Sequence, residues 1–133
     1  MKEEEKRNVL NFLQQEMLAL REIAALTEEL SEALDRKDEV AVLMCIDMQQ
    51  EAMERAAEKR EELLLYLEKH PEITKPLLAS DSETEAFLAH RRKYIENLKK
   101  TDEQLNRRYL RENSIFSDLV KGKTPQKTET QKA

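Results

Sequence analysis

Glycine and proline are nearly missing from this chain of 133 residues: the only glycine is Gly122, and neither residue occurs between Met1 and His70. Glycine costs about 1 kcal/mol and proline about 3 kcal/mol inside a helix, so a stretch free of both can stay helical with few breaks. The same absence removes glycine-rich phosphate loops and the glycine-flanked turn that presents a nucleophilic serine. Tryptophan is absent and aromatics make up 5% of the residues against 38% charged, the balance of helical bundles rather than sheets. The single cysteine, Cys45, excludes an intramolecular disulfide, and within the apolar run VAVLMCIDM it reads as a buried, reduced thiol. No apolar run approaches the ~18 residues needed to span a bilayer, and MKEEEKR is not followed by a signal-peptide core. A cytoplasmic protein without membrane contact is expected.

Charge is unevenly spread. The net charge of -5 argues against nucleic-acid binding as the main role, because affinity for phosphate backbones comes from surplus Lys and Arg. Residues 1–70 hold ten basic and eighteen acidic residues, whereas 86–111 hold eight basic and three acidic. An acidic segment packed beside a basic one is the simplest consequence.

What is abundant is amphipathic helix. A first helix is expected over about 3–34, with Val9, Leu13, Glu16, Leu20, Ile23, Thr27, Leu30 and Leu34 on one stripe at alternating spacings of four and three. The polar run Asp35 to Asp38 breaks it, and Asp38 can cap a second helix over about 39–69. The stripe of that helix is read as Leu43, Ile46, Met53, Ala57, Leu64 and Leu67, with Gln50 and Arg60 as polar interruptions. Each arm of this hairpin would be roughly 45 Å long. Pro71 and Pro76 end it, with one helical turn expected to start at Pro71, and Ser80 with Glu83 or Ser82 with Glu85 has capping-box spacing for a third helix over about 82–120. Its stripe is Leu88, Arg91, Ile95, Leu98, Asp102, Leu105, Tyr109, Glu112, Phe116 and Leu119. The whole reads as an all-α, antiparallel three-helix bundle over 1–122, with 123–133 as a disordered tail.

Catalytic chemistry finds little support. His70 and His90 are twenty residues apart, outside any metal-ligand spacing, and His70 before Pro71 suits a helix C-terminus. The abundant carboxylates read as solvated helix faces, so neither enzyme activity, a metal nor a cofactor is expected. HRRKY, from His90 to Tyr94, could belong to a nucleic-acid-binding helix, but a basic helix complementing an acidic hairpin accounts for it without a ligand. Met44, Met48 and Met53 could form an adaptable surface, though they also suit core filling. The aromatic-rich end of the third stripe, with Tyr109, Leu110, Ile115, Phe116, Leu119 and Val120, could dock on a partner helix.

The segments ALDRKDEV, QQEAMERAAEKREELLLYLE and ENLKKTDEQLNRRYLREN together resemble the small cytoplasmic flagellar export chaperones of the FlgN/FliT type, over about residues 8–120. TDEQL and the later KGK resemble the FliT branch, and RENSIFSDL resembles the FlgN branch. The resemblance implies an all-α, non-enzymatic cytosolic chaperone that holds hook-associated or filament-cap proteins before type III secretion, with the export apparatus as a further partner. It places client contacts on Leu105, Tyr109, Ile115, Phe116 and Leu119. Two other readings stand beside it: a structural coiled-coil homo-oligomer, and a regulator that binds nucleic acid through its basic helix.

Overall fold

A computed structural model describes residues 1–120, with the side chains of residues 110 and 112–120 outside the description. The chain is an all-α helical bundle made of α1 (Glu3–Arg36), α2 (Glu39–Lys69), α3 (Lys75–Ser80) and α4 (Ser82–Val120), with no strand among the described residues. The three long helices run up, down and up: Glu16 of α1 meets both Arg60 of α2 and Arg91 of α4, and Asp35 near the top of α1 meets Arg108 of α4. No helix among the described residues is long and apolar enough to cross a membrane. The expected tail at 123–133 lies outside the described residues.

Local signals set the boundaries. Lys37 takes the left-handed conformation (φ 57°, ψ 38°) and donates its N–H to Leu34 O, while Asp38 N–H reaches Ala33 O; these two bonds close α1 as a Schellman motif. Asp38 at once opens α2, its Oδ1 accepting from Ala41 N–H at 3.1 Å. At the far end His70 caps α2, its Nδ1–H donating to Tyr66 O (2.8 Å) while its ring stacks on Tyr66. The short turn starts at Lys75 rather than Pro71, because Thr74 accepts from Leu77 N–H and Pro76 lies in the first turn, where no N–H is needed. The cap of α4 is likewise neither serine. Asp81 Oδ2 accepts from Thr84 N–H (2.9 Å) and from the Thr84 hydroxyl (2.7 Å).

All eight members of the α1 stripe are buried, including the polar Glu16 and Thr27. The α2 stripe is different from the one expected. The residues turned to α1 are Val42, Cys45, Gln49, Ala52 and Ala56, whereas Leu43, Met53 and Leu64 are exposed and Ala57 faces water. The inward face lies about one residue around the helix from the more apolar one. Its small side chains oppose Leu20, Ile23, Leu26 and Leu30, so α1 and α2 lie close along their length. The buried polar atoms of this seam satisfy one another: Thr27 Oγ1 donates to Ile23 O (2.7 Å) and accepts from Gln49 Nε2 (2.9 Å).

Candidate partner-binding grooves along the fourth helix

α4 sits on the hairpin less deeply than the hairpin arms sit on each other. Among its described side chains only Thr84 and Leu105 are buried, while Phe87, Tyr94, Ile95, Leu98 and Tyr109 are half-buried against the two core clusters. Ion pairs to α1 hold it along its length. Lys6 reaches Asp81 (3.3 Å) and Glu83 (3.0 Å) at its start, and Arg108 reaches Asp35 (2.7 Å) near the top. Between them Glu16, almost without solvent contact, accepts from Arg91 Nε–H and Nη2–H and from Arg60 Nε–H at 3.0 Å. A carboxylate so buried needs such partners, since an unpaired buried charge is costly.

The protonation of these groups follows from their partners. Hydrogen bonding to Glu16 raises the Arg91 guanidinium above its ordinary value, against a smaller opposing effect of burial. The donors of Thr84, and then Lys6, hold the Asp81 carboxyl below its usual range. Lys6 is raised in turn by Glu83 and Asp81. Burial pushes the Cys45 thiol up, which disfavours the reactive thiolate.

The shallow seating leaves a groove on each flank of α4. The first, of about 550 Å³, runs between α1 and α4 and is lined by Ala24, Thr27 and Ser31 on one side and Tyr94, Leu98 and Leu105 on the other. The second runs between α2 and α4 as two adjoining hollows of about 270 and 200 Å³ that share Met53 and Asp102. Ile46, Arg60, Ile95 and Tyr109 extend its walls.

Of the expected client contacts, Leu105 is a core residue whose edge borders both grooves, and Tyr109 is half-buried on the second. The side chains of Ile115, Phe116 and Leu119 lie outside the described residues. The HRRKY cluster does not form one basic patch: Arg91 turns inward to Glu16, Arg92 pairs with Glu85 on its own helix, and Lys93 faces water. Met44 and Met48 are exposed, as are Val40 and Leu65, which the sequence stripe left out. Asp81 as the anchor of α4 could have been found from Asp-x-x-Thr before an apolar run, a capping pattern overlooked beside the two serines. Among the described residues no group of three or more His, Cys, Asp or Glu could hold a metal ion.

No family model, curated protein or solved structure matches this chain.

Proposed function

We propose that this protein is a cytosolic flagellar export chaperone that holds an apolar segment of a hook-associated or filament-cap protein along α4 before type III secretion. The single observation that carries the reading is the first groove, about 550 Å³ of open space between α1 and α4 beside the half-buried Tyr94 and Leu98. A third helix seated this shallowly offers an incomplete seam, which an amphipathic client helix fills with anchors spaced at i, i+3, i+4 and i+7. The nature of the client comes from the resemblance to FlgN/FliT-type chaperones. In that reading the apolar end of α4, with Ile115, Phe116 and Leu119, extends the contact, and the protein is not an enzyme. The inward turn of Arg91 and the pairing of Arg92 favour it over a nucleic-acid regulator, since both cations already have carboxylate partners.

The test is co-purification with purified hook-associated and filament-cap proteins. Binding at the centre of an interface rests on a few large side chains, each worth about 2 kcal/mol or more. Tyr109→Ala with Phe116→Ala, and separately Tyr94→Ala with Leu98→Ala, are expected to lose the client while staying helical. Parental affinity in both folded variants places the client elsewhere, and failure of the parent to bind any such protein rejects the reading.

A further inference from the structure

Charge is divided lengthwise along α4. Counted at about 100° per residue from the inward Leu98, Asn97 and Gln104 turn to the first-groove side, and Lys93 and Lys100 lie about 40° beyond them on the same flank. Arg107 continues the row. The carboxylates from Glu85 to Arg111, which are Glu85, Glu96, Asp102 and Glu103, all fall on the other half of the helix, toward the second groove. Lys93, Lys100 and Arg107 are exposed, and none has an ion-pair partner among the described residues.

The α1 wall of the first groove carries the other sign in its upper part. Glu28 lines the groove and Glu32 follows one turn above it, both exposed and neither in an ion pair among the described residues. Arg21 lies two turns below Glu28, so the acidic stretch is the upper one. Where the walls touch, Asp35 and Arg108 pair directly at 2.7 Å. Below that contact the groove holds them apart, and the charges on its two rims are left facing open space above Tyr94, Leu98 and Leu105. The lining runs from Tyr94 to Arg108 on α4, a length of about 21 Å, which a partner helix of about 14 residues spans.

We infer, building on the chaperone reading, that the segment held in this groove is an amphipathic helix with carboxylates along the edge that meets α4 and Lys or Arg along the edge that meets upper α1. Its apolar stripe covers Tyr94, Leu98 and Leu105. Each rim then meets opposite charge, whereas a helix basic on both edges sets like charge against Lys93 and Lys100. Exposed pairs add little affinity singly, so the rims select among clients more than they tighten any one of them.

Fluorescence anisotropy with two labelled peptides of about 18 residues tests it. Both carry one leucine stripe at i, i+3, i+4 and i+7; the first has Glu on one edge and Lys on the other, and the second has Lys on both. The parent is expected to bind the first about tenfold more tightly at low ionic strength, with the difference shrinking as salt is raised. Lys93→Glu with Lys100→Glu should abolish or invert the preference, while Lys99→Glu, on the other half of the helix, should leave it unchanged. Thr101→Trp, at an exposed position lining the groove, should block both peptides. Circular dichroism checks that the variants remain helical; if the double reversal unfolds, Lys93→Gln with Lys100→Gln replaces it, with the preference expected to fall about threefold. Equal affinity for the two peptides, a preference untouched by the changes at Lys93 and Lys100, or binding that survives Thr101→Trp overturns the inference. So does a parent that binds neither peptide, or displacement of the bound peptide by duplex DNA. If the charge dependence holds but purified hook-associated and filament-cap proteins do not bind, the chaperone reading falls and this inference stands. If those proteins bind the parent and the Lys93→Glu, Lys100→Glu variant alike, the inference falls and the chaperone reading stands.

Discussion

Glu16 of α1 and Arg91 of α4 meet through two hydrogen bonds at the middle of the bundle, and Arg60 of α2 donates a third to the same carboxylate. One buried side chain thus links all three long helices. The pairing also fixes their relative levels, since the two arginines approach from helices that run in opposite directions.

Removing that carboxylate with Glu16→Ala is expected to destabilise the protein by about 2–4 kcal/mol in urea unfolding, below the full cost of breaking a buried pair because both arginines can reach water. A double-mutant cycle with Arg91→Ala should return a coupling of at least about 1 kcal/mol. A coupling near zero would mean that the ion pair is incidental to packing. Glu16→Met combined with Arg91→Leu should recover most of the loss, since a matched apolar pair avoids desolvating charges.

Leu20 and Leu64 separate the two faces of the hairpin. Leu20 is 5% exposed in the first core cluster, and Leu20→Ala is expected to cost about 2–5 kcal/mol. Leu64 faces water, and Leu64→Ala should cost less than about 1 kcal/mol in the monomer. Equal losses at the two positions, measured by urea titration with the chain kept monomeric, would contradict the orientation of α2.

The turn between α1 and α2 places a lysine where glycine is at ease. Lys37, at φ 57°, is the only non-glycine residue with positive φ among those described. Lys37→Gly should stabilise the protein by about 0.5–1 kcal/mol, the relief of the Cβ clash being partly offset by a more flexible unfolded chain. No gain in the thermal midpoint would show that the turn tolerates the lysine without strain.

Asp81 ties the start of α4 to pH. Its carboxyl is held below the ordinary value by Thr84 and Lys6, so the ionised form is favoured by folding. The stability it contributes is fully present above the unfolded value of about 4 and is lost as pH falls through the lowered folded value. The midpoint difference between the parent and Asp81→Ala should therefore be constant near neutrality and shrink under strongly acidic conditions. A difference that grows on acidification would reverse the sign of this linkage.

Burial of Cys45 predicts slow labelling by a thiol reagent in the folded protein and rapid labelling in denaturant. Equal rates would show that the hairpin opens readily near its turn.

Helix content and the major boundaries are written in local sequence. Without glycine or proline before Pro71 nothing interrupts α1 and α2 except the polar turn, and Asp38 caps α2 through its own side chain. The inward stripe of α1 is legible for the same reason, because only one of its faces is strongly apolar. The tertiary structure decided which face of α2 turns inward. Hydropathy favours Leu43, Met53 and Leu64, but Ala52 and Ala56 face the large side chains of α1, and small residues there let the two backbones come together. It also decided the flanks of α4. Leu105 and Tyr109 lie on a stripe that the sequence displays, yet whether such a stripe is sealed or left beside open grooves depends on how closely a third helix can seat against two that are already packed. Here α1 and α2 are packed closely on each other, and α4, held by Lys6, Glu16 and Asp35, rests more shallowly on the surface they leave.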